Sequence, residues 1–287
     1  MKNKNIATAL ALLAAALYAI NIPLSKLLLE SAGPTMMAAF LYLGAGIGLF
    51  VCGLLGGERK SAPPLTRAEL PYIIGMIVLD IAAPILLMLG LRYTSSANAS
   101  LLNNFEIVAT TLIAFFIFKE ALSKRLVLAI VFVTLASVTL SLEGTQSLEL
   151  NWGSLLVLAA ACCWGLENNC TRRLSSKSSV QITTIKGIFS GLGSLMVALV
   201  AGESFPPVAF IPLILLLGFV SYGLSINFYI KAQKKLGAAK TSAFYSISPF
   251  LGAAFGVLAL GENITVQFVV GLAIMIAATV LLIKDNK

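Results

Sequence analysis

Ten stretches of this chain, each about 20 residues of mostly apolar side chains, follow one another with only short polar breaks between them. A stretch of that length and apolarity is a membrane-spanning helix, because only a helix pairs all its own backbone N–H and C=O groups in hydrocarbon. The stretches run Ile6–Leu29, Thr35–Leu55, Pro71–Arg92, Ala97–Phe118 and Lys124–Leu142, then Trp152–Arg172, Val180–Ala201, Ala209–Ile230, Ala239–Leu260 and Thr265–Ile283, and are called spans 1 to 10. Composition agrees: 59% of residues are hydrophobic and 11% charged, and the mean hydropathy is +0.95, more apolar side chain than a soluble core of 287 residues can hide. The chain reads as an all-α polytopic membrane protein.

The opening MKNKNIATALALLAAALYAI also has the lysines and alanine-rich run of a signal peptide. Its apolar run continues to Leu29, and Trp164–Leu174 echoes it 146 residues later, so it is read as the first span. The formal net charge of +8 raises a nucleic-acid reading, but the charges are segregated along the chain. With the amino terminus inside, alternate breaks and the termini hold 17 of the 20 basic residues, whereas Glu143–Asn151 and Gly202–Pro207 hold none. The positive-inside rule then places both termini in the cytoplasm; the inner membrane of a bacterial or archaeal cell is the expected location. The four cysteines (Cys52, Cys162, Cys163, Cys170) lie in apolar stretches without metal-like spacing and read as small core side chains. There is no histidine, which removes Ser-His-Asp and Cys-His catalysis and histidine metal sites, so no enzyme, cofactor or metal is expected.

The chain also resembles itself. At an offset of 142 residues Ala97 meets Ala239, Ser100 meets Ser242 and Glu120 meets Glu262, and Ser123 and Thr265 coincide as helix N-caps. Five spans per half is an odd number, so the second copy enters the membrane inverted, an arrangement common among secondary transporters, whose substrate site lies near midplane between the repeats. Residues 1–142 form the first repeat, 143–151 a periplasmic linker and 152–287 the second repeat. On these features the chain resembles the EamA family of the drug/metabolite transporter superfamily: two five-helix units, an aromatic and a small residue in spans 1 and 6 (Tyr18–Ala19, Trp164–Gly165), and a glutamate after spans 4 and 9 (Glu120, Glu262). The resemblance implies a ten-helix basket around a central cavity, alternating access, and export of small metabolites from the cytoplasm. Glu106 departs from it, standing beside the position at which span 9 keeps the family-like Pro249.

Polar groups inside the spans carry the functional signal. A lone ionised side chain at a helix centre costs about 2.5–3.5 kcal/mol, so Asp80, Glu106 and Glu167 together cost about 8–10, which rivals the ~5–15 kcal/mol stability of a typical domain. Each must meet water, a partner or a proton. Asp80 and Glu106 lie nine residues from a span end, about 14 Å deep at ~1.5 Å per residue. Glu167, in the motif CWGLENNC, has the depth of Lys186 in the next, antiparallel span, so the two are expected to pair as a structural element or a gate, leaving Asn168 and Asn169 to bond neighbouring helices. Ser96, Asn103, Glu106 and Thr110 recur at helical spacing on one face, and the repeat places Ala238, Tyr245, Ser248 and Gly252 opposite them. Asp80 has Tyr222 as its repeat partner, with Ser225 and Tyr229 alongside. Both a cavity and helix-to-helix hydrogen bonding fit this pattern; a midplane carboxylate favours the cavity.

The substrate-binding candidates are Glu106, Asn103, Asp80, Tyr245, Ser248, Tyr222, Asn21, Trp164 and Glu167. Pro84 and Pro249 are expected kinks, glycines four apart (Gly44 and Gly48, Gly187 and Gly191, Gly252 and Gly256) close packing points, and Glu120 and Glu262 braces for surface turns. The uncharged spans 5 and 10 are expected at the periphery or in a homodimer contact. The function expected is a carrier exporting a small polar metabolite, with proton coupling open. Three acids stand against Lys186 alone, which favours amines, amino acids and other zwitterions or cations over phosphates. A neutral solute, with the acids serving protons or structure, is the alternative. No pore motif or nucleophile–base pair supports a channel or an embedded enzyme.

Overall fold

A backbone that cannot bond to lipid must bond to itself, and the apolar stretches do so as helices. The computed structural model describes residues 2–56, 65–119, 123–143, 149–174, 177–236, 241 and 244–285. The first part comprises α1 (Lys2–Ala19), α2 (Asn21–Leu28), α3 (Pro34–Gly56), α4 (Leu70–Leu91), α5 (Ser96–Leu102), α6 (Phe105–Phe118) and α7 (Lys124–Ser141). After it come α8 (Trp152–Arg173), α9 (Ser179–Val200), α10 (Phe210–Gly218), α11 (Ser225–Leu236), α12 (Ser248–Leu260) and α13 (Val266–Asp285). Between α7 and α8, Leu142–Glu143 and Glu149–Leu150 pair as a two-residue antiparallel ladder.

Among the described residues, seven helical stretches are long and apolar enough to cross a membrane: α1 with α2, α3, α4, α5 with α6, α7, α9, and α10 through α11. Helix α8 is long enough at 22 residues, but Glu167, Asn168, Asn169, Arg172 and Arg173 set it apart from these. Helix α12 and the Val266–Leu281 part of α13 are shorter apolar stretches. Apolar side chains such as Val200 and Leu258 face outward, 90% and 84% exposed, as befits a hydrocarbon surround.

Four of the expected continuous spans are interrupted. Pro23 lacks the N–H that would reach Ala19, and the chain turns at Ile20 between α1 and α2. Asn104, Glu106 and Ile107 bond back three residues rather than four, at 3.0–3.1 Å, and this tightened turn at Asn103–Asn104 separates α5 from α6. Between α10 and α11, Phe219–Leu224 widens into a π-helix, a feature frequent at functional sites. Pro249 does not kink a helix but sits in the first turn of α12, after a turn at Ser246–Ile247. Pro84 lies inside α4.

The dominant packing pairs are α3 with α9, α4 with α8, α7 with α13 and α1 with α11, joined by α6 with α8 and α5 with α12. Every pair combines one helix from residues 1–142 with one from 152–287, so the halves interleave rather than abut. Gly187 lets α9 approach α3 so closely that a Cβ there would strike the backbone of Gly46. Helices α7 and α13 pack on each other and leave Val131, Leu135, Val138 and Val269 exposed. The cysteines are not core residues as expected: Cys162 is exposed and the other three are partly so.

One end of the bundle is sealed. Met36, Met37, Met88, Leu91 and Leu101, near the start of α3, the end of α4 and in α5, are all without solvent exposure. At this end Lys26 donates to the carbonyls of Leu91 and Thr94. Glu262 accepts from the backbone N–H groups of Ser96 (2.7 Å) and Ala97 (2.8 Å), and Glu203 does the same for Thr35 (3.2 Å) and Met36 (2.7 Å). Cation on helix C-terminal carbonyls and carboxylates on N-terminal amides is the favourable sense of the helix dipole. Glu262 thus braces a turn as its sequence position implies; Glu120 lies outside the described residues. Ser123 Oγ accepts from Leu126 N (3.0 Å) and Thr265 Oγ1 from Phe268 N (3.1 Å), the N-caps that the repeat predicts.

A tyrosine-walled cavity at the broken helices

The helix breaks converge on a cavity of about 510 Å³, within the ~300–1,000 Å³ range of small-molecule pockets. It is lined by the second half of α8 and the first half of α9, and so lies toward the end of the bundle opposite the seal. Five of the chain's seven tyrosines wall it: Tyr18, Tyr42, Tyr222, Tyr229 and Tyr245. Their rings form a connected series, with centroids 5.3 Å apart for Tyr42–Tyr222, 5.9 Å for Tyr222–Tyr18, 5.8 Å for Tyr18–Tyr245 and 5.0 Å for Tyr245–Tyr229. Interplanar angles of 84° and 74° in two of these pairs are the edge-to-face packing that aromatic quadrupoles prefer.

A charged cluster adjoins the rings. Lys186 Nζ of α9 lies 3.0 Å from Glu167 Oε1 of α8 and 3.0 Å from Asp80 Oδ2 of α4. Tyr42 Oη donates to the other Asp80 oxygen (2.9 Å), and Trp164 Nε1 donates to Tyr42 Oη (3.2 Å). Thr171 Oγ1 donates to Glu167 Oε1. The ammonium is thus shared by two buried carboxylates, each with a further donor, which is how a low-dielectric interior tolerates charge. The pairing of Glu167 with Lys186 is as the depth argument anticipates; the second partner, Asp80, is not.

Glu106 stands apart from that cluster at the start of α6. Its Oε1 accepts from Asn168 Nδ2 at 2.6 Å, and the same amide reaches Thr110 Oγ1 at 3.3 Å. Asn169 Nδ2 donates to the backbone carbonyls of Gly165 (2.8 Å) and Thr110 (3.2 Å), tying α8 to α6. The polar end of the CWGLENNC motif therefore presents one carboxylate to Lys186, one amide to Glu106 and one amide to the helix–helix seam.

Of the residues singled out from the sequence, Glu106, Asn103, Tyr245, Ser248, Tyr222, Trp164, Glu167 and Lys186 line the cavity. Asp80 and Asn21 do not. Asp80 has no solvent exposure and meets Lys186 and Tyr42 instead, and Asn21 lies behind the wall, donating to Tyr222 Oη at 2.9 Å. The expected stripe on span 4 is divided: Asn103, Glu106 and Thr110 reach the cavity, whereas the Ser96 backbone is held by Glu262 at the sealed end. On the opposite side Gly252 packs against Ser100, Ala238 lies outside the described residues, and Ser225 is buried, bonding to the Ala14 carbonyl (2.8 Å) and Tyr245 Oη (3.3 Å). Tyr18 and Tyr42 were not among the candidates. The signal that could have found them is the concentration of tyrosine near midplane in several spans, a position where an isolated hydroxyl lacks water. Among the described residues no group of three or more His, Cys, Asp or Glu side chains is placed to hold a metal.

The family model described as the EamA-like transporter family matches residues 5–142 and 151–284. The chain is 28% identical to an uncharacterized transporter of Methanothermobacter thermautotrophicus over 94% of its own length and 84% of that protein's. It is 27% identical to the uncharacterized transporter YyaM of Bacillus subtilis (85% and 82% covered), and 22% identical to the uncharacterized inner membrane transporter YedA of Escherichia coli K12 (88% and 82%). A solved crystal structure superposes with a TM-score of 0.71 at 17% identity, covering 96% of this chain and 94% of the other, a likeness of fold.

Proposed function

The chain belongs to the EamA-like transporter family and is a multi-pass membrane transporter, and from that premise we propose that it is a secondary carrier exporting a small polar metabolite by alternating access. The observation that carries this is the cavity between the helices, with Glu106 and a wall of tyrosines at the points where helices break. A carrier needs its site where two halves meet, so that rocking one against the other exposes it to either side. Helices from both halves line this cavity, and all the main packing pairs run between halves.

The architecture belongs to the same proposal: ten spans in two inverted five-helix repeats. The two family-model matches, one per half, and the exchange-like pairing of α4 with α8 and α1 with α11 support it. Basic residues cluster on one side of the sequence-derived topology, which supports cytoplasmic termini and an inner-membrane location. In that orientation the cavity faces the cytoplasm and the Glu203 and Glu262 contacts seal the periplasmic side. Glu106 offers the substrate or a proton its charge, and the Asp80–Lys186–Glu167 cluster holds α4, α8 and α9 around the site.

The test is exchange. Candidate substrates come from a metabolite-challenge growth screen of cells with and without the protein. Proteoliposomes loaded with an unlabelled hit should accumulate the labelled compound transiently, saturably, and not when they carry Glu106→Gln. Flux that neither saturates nor exchanges would overturn the carrier reading in favour of a channel.

A further inference from the structure

We infer that the ligand of this cavity is an organic cation without a carboxylate, an amine or substituted ammonium ion, and not an amino-acid zwitterion. The inference rests on the carrier reading above and narrows its substrate class.

Charge is the first argument. Lys186 is the one basic side chain among the cavity's described lining, and both its carboxylate partners already hold it at 3.0 Å. Two of its three N–H donors are thus committed, and a substrate carboxylate would meet an ammonium whose charge two buried carboxylates already balance. Three carboxylates (Asp80, Glu106, Glu167) against that single ammonium leave a formal excess of two negative charges around the site. With these carboxylates ionised, a field of that sign favours cations over anions.

Aromatic chemistry is the second, independent argument. Five tyrosine rings and Trp164 surround the same space as Glu106. An ammonium within ~6 Å of an aromatic face is attracted by the ring quadrupole, more strongly when water is excluded. Interplanar angles of 43–84° between neighbouring rings turn their faces in several directions, a geometry suited to a compact cation. A carboxylate on the ligand would meet the negative faces of the same rings.

Unused polar atoms complete the site. Asn103 and Ser248 are among the cavity's lining residues, only 6% and 1% exposed, and among the described residues Asn103 Oδ1 and Ser248 Oγ have no hydrogen-bond partner. Buried acceptors are rarely left so. Asn103 Nδ2 is committed to Tyr18 Oη at 3.1 Å, which fixes the amide with its oxygen free to accept an ammonium N–H or a hydroxyl. Asn104 is also a lining residue, and its Nδ2, without a partner among the described residues, is a neutral donor suited to a hydroxyl oxygen and too little to hold a carboxylate.

Matched pairs that differ by a carboxylate test this: tyramine and tyrosine, agmatine and arginine, cadaverine and lysine, choline and glycine betaine. Binding of each is measured to the purified wild-type protein in lipid nanodiscs. At least one amine is expected to bind, at least tenfold tighter than its carboxylate-bearing partner, and to be weakened at least tenfold by Glu106→Gln and by Tyr18→Leu. Wild-type selectivity within a pair needs no variant, so a misfolded mutant cannot obscure the result. A carboxylated member binding as tightly as its amine, or no amine binding, overturns the inference. Counterflow with the amine that binds separates the two claims. Binding without exchange overturns the carrier reading and keeps the ligand class, whereas saturable exchange of a carboxylated member does the reverse.

Discussion

Lys186 of α9 lies 3.0 Å from Asp80 of α4, a carboxylate with no solvent exposure, and this contact changes what the neighbouring Glu167 is for. Two carboxylates share one ammonium, so the cluster behaves as a unit rather than as a pair with a bystander. Lys186→Gln strands both acids and is expected to destabilise by about 3–5 kcal/mol, the usual cost of breaking a buried ion pair. Adding Asp80→Asn and Glu167→Gln to that variant should recover part of the loss, because the stranded charges go with it. Thermal unfolding in detergent measures both; a triple variant whose losses merely add would show that the three act apart.

Glu106 accepts from Asn168, whose amide also reaches Thr110, and shares the cavity's lining with Tyr18, Tyr245, Glu167 and Lys186. A cation binds best when this carboxylate is ionised, so affinity should fall as the pH is lowered through its titration. Glu106→Gln, which keeps the shape and removes the charge, should bind weakly at every pH and leave the unfolding temperature near that of the wild type. Asp80→Asn, outside the cavity, is expected to weaken transport less. Wild-type and Gln proteins with the same pH profile would reduce Glu106 to a hydrogen-bonding residue.

Glu262 receives two backbone N–H groups at the start of α5 and stands with Lys26 at the sealed end. Glu262→Ala removes both bonds at once, and a loss of about 1–2 kcal/mol is expected from the scale of helix-capping effects. Because these contacts close one end, cysteine accessibility at that end should also rise. Unchanged stability and accessibility would mean that water replaces the carboxylate without cost.

Orientation can be tested with single cysteines in a protein lacking Cys52, Cys162, Cys163 and Cys170. Ser204 and Lys235 are both exposed and lie on opposite sides of the proposed topology. An impermeant thiol reagent added to intact cells should label the first and spare the second. Labelling of both from outside would contradict the assignment from basic residues.

Hydropathy and helix chemistry settled a good deal before any contact was known. Where backbone must satisfy itself, an apolar run of sufficient length has one solution, and the caps at Ser123 and Thr265 follow from side-chain oxygens that sit three residues before a free amide. Depth was legible as well, because rise per residue converts position into height, and equal heights on consecutive antiparallel spans brought Glu167 to Lys186. Height is only one coordinate. How far each helix is rotated about its axis, and where it breaks, depends on neighbours distant in sequence. That is why Asp80, at a midplane height, turned from the cavity to Lys186, why Ser96 parted from Glu106 at the Asn103–Asn104 turn, and why Tyr18 and Tyr42 entered the wall unannounced. The sequence by itself determined which segments are helical, at what level along its helix each polar group sits and which family pattern they share. Tertiary packing alone decided which of those groups face one another, because facing is set by close contacts such as Gly187 against Gly46 that no periodicity encodes.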